Sequence, residues 1–212
     1  MRLEHRLRPP NTFIGIDESY PYVLGKESKD PRSTIVISAV VSHHRSTIRQ
    51  GRFYHKIRGR GEKGFSAQDV LDTLREGKTE TFRYMTLPTN LFSKQEIPGL
   101  NKVQTLELLS IASIVPHLTR KPQRTALYID LFGNSRIIVD ELTRLLSIQE
   151  CQIYPQNIHL SQRLDTSVPI TNIADYLSWA FGNSYKNGKI LLKEFKDQRI
   201  HSQEILKLKE YL

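Results

Sequence analysis

Two short apolar runs in this chain end on the same dipeptide, Ile-Asp, and that recurrence constrains the fold more than any other feature. Phe13-Ile14-Gly15-Ile16-Asp17 leads into Glu18, and Ala126-Leu127-Tyr128-Ile129-Asp130 leads into Leu131. Apolar runs this short, bounded by polar or turn-forming residues, read as buried strands. If the two are parallel neighbours, their last residues lie side by side, about 4.8 Å apart across the ladder. Two aspartates would then meet at the carboxyl edge of an open sheet, where such sheets place their ligand sites. A third carboxylate, Asp175 in Asn172-Ile173-Ala174-Asp175-Tyr176, falls in a later helical pattern and could complete a metal cage.

The remaining pattern fits an α/β chain. Strand one covers Thr12 to Asp17, and a turn-rich stretch with Pro21, Gly25 and Pro31 follows it. The β-branched run Thr34 to Val41 is a second strand, and alternation from Glu80 to Met85 marks a third. Val103 to Leu118 is dense enough in apolar residues to be a largely buried helix. The strand Thr125 to Leu131 then turns through Gly133-Asn134-Ser135 into a helix from Arg136 to Ser147. Ile153 to Leu160 reads as a strand interrupted by Pro155, Pro169 to Asn183 as a helix, and Ile190 to Leu212 as a basic amphipathic helical tail. Strands first, then alternating helices and strands, predict a mixed β-sheet flanked by helices. With 212 residues and no low-complexity linker, a single domain over 1–212 is expected.

Thirty-one Lys and Arg against 22 Asp and Glu leave a net charge of +9, which favours a polyanionic partner through counterion release. No stretch is apolar enough to span a membrane, and the charged Met1 to Arg8 segment lacks the apolar core of a signal peptide. The lone cysteine, Cys151, excludes an internal disulfide and a multi-cysteine metal site. A cytoplasmic location is the default expectation, and a homo-oligomer stays open.

Cutting a phosphodiester at neutral pH calls for charge neutralisation and an activated water, which two divalent cations can supply together. Mg²⁺ and Mn²⁺ take hard oxygen ligands and keep several waters, so the chain must converge a few carboxylates and leave positions open. Asp17, Asp130 and Asp175 are the candidates. An aspartate after a strand also caps helices or shapes turns, which is the alternative for each strand aspartate alone. Asp175, however, lies among Ile173, Ala174 and Leu177, and a buried charge needs a partner or a metal. Successive strand residues face opposite ways, so Glu18 joins Asp17 only if the strand breaks there. Asp165 and Glu80 are further possible ligands, whereas Asp140 and Glu141 are expected to face solvent or pair with Arg136 or Arg144.

A basic segment from Arg45 to Gly64 interleaves Arg49, Arg52, Lys56, Arg58 and Arg60 with Phe53 and Tyr54. Cationic side chains suit phosphates and aromatic rings suit base stacking, the pairing used on single strands. A solvated loop with an aromatic tucked onto the core has the same composition. Trp179 and Phe181 are expected in the core, with base stacking by Trp179 the lesser alternative. His43, His44 and His55 lack the partners of a zinc site, and Cys151 reads as structural.

Gly15-Ile16-Asp17-Glu18 resembles the opening strand of type-two ribonuclease H, whose motif reads Gly-Ile-Asp-Glu-Ala-Gly-Arg-Gly. Tyr128-Ile129-Asp130 resembles the strand-four aspartate of the ribonuclease H-like superfamily, and Ala174-Asp175-Tyr176-Leu177 resembles a late-helix Ala-Asp-Leu-Leu in that superfamily. The resemblance implies a ribonuclease H-like fold and a two-metal Mg²⁺ or Mn²⁺ nuclease acting on DNA or RNA. Asp17, Asp130 and Asp175 would carry over as metal ligands, with Glu18 as the adjoining catalytic carboxylate. After Glu18 this chain has Ser19-Tyr20-Pro21-Tyr22 where the motif has Ala-Gly-Arg-Gly, the loop that reads the ribose 2′-hydroxyl. A DNA exonuclease or a single-strand nuclease is therefore equally open. The competing expectations are a nucleic-acid-binding module of this fold without catalysis and, last, a sugar-kinase or actin-like phosphotransferase. The latter wants a glycine-rich turn after the first aspartate, which Glu18-Ser19-Tyr20-Pro21 does not supply.

Overall fold

The computed structural model describes residues 9–19, 22–23, 26–27, 34–49, 66–88, 91, 97–130, 133–161, 164–182 and 186–212. Its strands are β1 (Thr12–Ser19), β2 (Tyr22–Val23), β3 (Lys26–Glu27), β4 (Thr34–Ser42), β5 (Thr81–Pro88), β6 (Thr125–Asp130) and β7 (Ile158–Ser161). Its helices are α1 (Ala67–Glu76), α2 (Lys102–Ile114), α3 (Ser135–Ile148), α4 (Leu164–Ser167), α5 (Pro169–Gly182), α6 (Lys186–Glu194) and α7 (Gln203–Lys209). Five strands form one sheet in the order β5-β4-β1-β6-β7, and β2 pairs with β3 apart from it. β4 runs antiparallel to both β5 and β1, while β1, β6 and β7 are parallel to one another.

The period of two along β1 sorts its side chains between two cores. Ile14 and Ile16 face a core filled by α2, α3 and α7, whereas Phe13 faces one filled by α1, α5 and α6. The mixed sheet expected from the order of elements is present, and β1 extends two residues beyond Asp17. Residues 155–157 form a 3₁₀ turn, so only the second half of the expected strand at 153–160 pairs. Proline has no N–H for a ladder, which confines β7 to the residues beyond it.

The tail is two helices rather than one. Between α6 and α7 a 3₁₀ turn over Lys196–Gln198 leads to Arg199, which bridges to Tyr84 of β5, and the Ile200 N–H donates to the Tyr84 carbonyl at 2.8 Å. The helix α1 was not anticipated, because it buries only Val70, Thr73 and Leu74. A capping box stabilises its start: the Ser66 hydroxyl accepts from the Asp69 N–H while the Asp69 carboxylate accepts from the Ser66 N–H.

Candidate active site

The parallel pairing of β1 with β6 sets Ile16 opposite Ile129. The residues that follow, Asp17 and Asp130, therefore come side by side where the β1–β6 pairing stops, towards the carboxyl ends of both strands, with Asp17 still paired to Ser38 and Asp130 to Ser161. Asp17 lies on the α5 face of β1, two residues beyond Gly15 and four beyond Phe13. Gly15 explains how α5 comes close enough to add its own carboxylate. A Cβ at Gly15 would stand 2.4 Å from the carbonyl carbon and oxygen of Ile170, so the helix backbone rests directly on the strand backbone. At the far end of α5, a Cβ on Gly182 would meet Ser19 Oγ and Val36 Cγ2 at 3.5 Å. The helix thus runs along β1 towards the carboxyl edge, carrying Asp175 past Asp17.

Electrostatics record this convergence. Burial pushes the Asp17 carboxyl well above its ordinary range, and Glu18, Asp175 and Asp130 each push it further. The Glu18 N–H, donating to Asp17 Oδ1 at 2.7 Å, is the opposing contribution. Glu18 is pushed up to about 8, first by burial and then by Asp130, with a smaller contribution from Asp175. Every charged neighbour that shifts Asp17 is another carboxylate.

Glu18 arrives without the strand break that its participation was expected to need. β1 continues through Ser19 with Glu18 opposite Ile37, so Glu18 starts from the face opposite Asp17. Its carboxyl is nevertheless acted on by Asp130 and Asp175, because the pairing of β1 with β6 stops one residue earlier, at Ile16 and Ile129. On that second face the sequence reading missed a residue, Glu107 of α2. It is 4% exposed, and its carboxyl is raised well above the usual range by burial and by Glu18. Its signal was legible: Glu107 is the one charge between Val103 and Ile114, inside a helix buried from Thr105 onward.

Other candidates lie elsewhere. Glu80 sits at the opposite end of the sheet, where its N–H donates to the Val41 carbonyl and its carboxylate meets His43 Nε2 at 3.3 Å. It stands away from the rim carboxylates. Arg49 is exposed just after the 3₁₀ turn that follows β4, and β4 ends beside Phe13 at the start of β1. It therefore stands away from the carboxylate rim. Arg52, Phe53, Tyr54, Lys56, Arg58 and Arg60 lie outside the described residues, as does the side chain of Asp165. Glu141 pairs with Arg144 at 2.7 Å and Asp140 is exposed, as expected. Cys151 is buried, its thiol pushed up to about 11 by burial, which suits a structural residue. Phe181 is in the core, stacked on Tyr84, but Trp179 is 36% exposed rather than buried.

The donor set is all carboxylate oxygen, the chemistry of a hard divalent cation. Mutual repulsion in a partly dry setting is what such a cation relieves. Among the described residues, no three His, Cys, Asp or Glu side chains are gathered tightly enough to enclose an ion as they stand. None of the described helices is long and apolar enough to cross a membrane.

No family model matches the sequence, and no curated protein does. Among solved structures, ribonuclease HII of Archaeoglobus fulgidus, crystallised with PCNA, superposes with a TM-score of 0.52 at 14% identity, over 87% of this chain and 78% of that one. Ribonuclease H2 of Pyrococcus horikoshii OT3 gives a TM-score of 0.46 at 12% identity, over 94% of this chain and 98% of that one. Bst ribonuclease HIII in complex with Mn²⁺ gives 0.45 at 16% identity over 91% of this chain, which spans only 57% of that protein. The five-stranded mixed sheet with helices on both faces is ribonuclease H-like, the fold seen in ribonuclease HII.

Proposed function

We propose that this chain is a divalent-metal-dependent nuclease, a single domain hydrolysing phosphodiester bonds of DNA or RNA by a two-metal mechanism with Mg²⁺ or Mn²⁺. One observation carries the reading. Asp17 and Asp130 come side by side on adjacent parallel strands, and Asp175 is close enough there to shift the Asp17 carboxyl. Carboxylates crowded into a partly buried place oppose folding, and a metal site gives that crowding a use.

Asp17, Asp130 and Asp175 would hold the cations. The bound ions would neutralise the phosphate and activate the attacking water. The chain's own contributions are positional. The Glu18 N–H fixes the Asp17 carboxylate by its hydrogen bond to Oδ1. Gly15 lets α5 bring Asp175 alongside. Glu18 and Glu107 back the rim from the other face and are placed to hold a proton near the reacting phosphate. The net charge of +9 supports a nucleic-acid partner.

The test is a panel of labelled RNA, DNA and hybrid strands incubated with and without Mg²⁺ or Mn²⁺. Metal-dependent cleavage that Asp17→Asn or Asp130→Asn removes, with binding retained, is the expected result. Binding without cleavage by the wild type would mark a non-catalytic nucleic-acid module instead.

A further inference from the structure

From Pro169 to Phe181 every residue of α5 is buried except Asp175 and Trp179. Positions four apart share a helix face, so these two and the partly exposed Gly182 form the one open stripe of the helix. The stripe lies along the path that ends over Ser19, past the carboxyl edge of β1. Trp179, 36% exposed, therefore lies on the same face of the helix as Asp175, about 6 Å further along its axis. Around it, Ala180 and Phe181 are buried in the core, so the exposure belongs to this one side chain rather than to a loose helix end. The helix that follows packs Leu191 into the same core and exposes Lys189 and Lys193.

We propose that Trp179 is a stacking platform for an unpaired nucleobase of the strand whose phosphate lies at the carboxylates, so that the substrate is single-stranded at the site. The proposal rests on the nuclease reading. A flat aromatic face binds any base through stacking, whereas the rim carboxylates and their cations engage only the phosphate. The two together give a strand a fixed place without reading its sequence. A phosphate at the rim brings the base of its own or the next nucleotide within reach of the ring.

Trp179 is the only tryptophan in the chain, so intrinsic fluorescence reports on this position alone. The experiment titrates the full chain, carrying Asp130→Asn so that the strand survives in Mg²⁺, with single-stranded DNA and RNA oligonucleotides. An abasic strand of equal length is the control. Base-bearing strands should quench the fluorescence and the abasic strand should not. Trp179→Ala should bind base-bearing strands about 5- to 100-fold more weakly, Trp179→Phe should recover most of the loss, and the abasic strand should bind all three alike. Equal affinity of Trp179→Ala and its parent for base-bearing strands, or equal quenching by the abasic strand, would overturn the platform. Cleavage by the chain with Asp130 intact separates the two readings. Cleavage unaffected by Trp179→Ala sinks the platform alone, while a chain that neither cleaves nor binds sinks both.

Discussion

At the end of the sheet where β1 and β5 begin, polar groups are matched. Ser42 Oγ donates to the Lys78 carbonyl at 2.7 Å, and His43 lies between the Asn11 carbonyl at 3.0 Å and the Glu80 carboxylate at 3.3 Å. Some four residues further along β1 the opposite end gathers carboxylates that repel one another, with Asp17 only 7% exposed. Both ends belong to the same strands and share the same cores. The first could lose a charge at little cost, since exposed ion pairs contribute at most about 1 kcal/mol. The second holds an arrangement that lowers stability, as the proposed metal site would require.

Substitutions should divide the two ends sharply. The largest effect is expected for Asp17→Asn and Asp130→Asn. Each should lower metal-dependent cleavage by at least ~10³-fold, several kcal/mol of transition-state stabilisation, while circular dichroism stays native. Gly15→Ala should act on stability as well as activity. Its Cβ would strike the Ile170 backbone, so α5 must move and carry Asp175 away, costing about 1–3 kcal/mol in chemical denaturation.

The cation-free protein should also lose stability with rising pH. A carboxyl raised on folding keeps its proton in the native state and releases it in the unfolded state. Its contribution is thus full below the ordinary value and lost as pH rises through the folded one. For Glu18 that window runs from 4.5 to about 8. Thermal melts in EDTA should fall between pH 5 and pH 8, and Asp17→Asn should flatten the decline. Relief of one pKa unit is about 1.4 kcal/mol, roughly 3–6 °C for a chain of this size. At the matched end, Glu80→Gln should change stability by no more than about 0.5 kcal/mol and leave cleavage untouched. A larger loss at Glu80 than at Gly15 would break the contrast.

Much of this contrast was legible in the sequence, for identifiable reasons. Ile16-Asp17 and Ile129-Asp130 showed the two central strands because burial leaves apolar runs with abrupt polar stops, although β1 runs on to Ser19. Asp175 stood out as a charge inside an apolar helical pattern. Glu107 carried the same signal but lay in a helix that read as core throughout, and its nearness to Glu18 depends on α2 crossing the second face. Glu80 was read as a possible further ligand because a residue's end of the sheet follows from strand direction, which local pattern does not encode. Trp179 was expected inside, since composition cannot tell which stripe of a nearly all-buried helix is left open. The break between α6 and α7 likewise follows from Arg199 pairing with β5, a contact 115 positions away in the chain.

Calorimetric titration of the wild-type chain and Asp17→Asn with Mn²⁺ at pH 7.5 tests the central claim most directly. The account predicts saturable Mn²⁺ uptake by the wild type and, in Asp17→Asn, affinity at least about tenfold weaker, or 1.4 kcal/mol. Equal uptake by the two proteins, or none by the wild type, would contradict it.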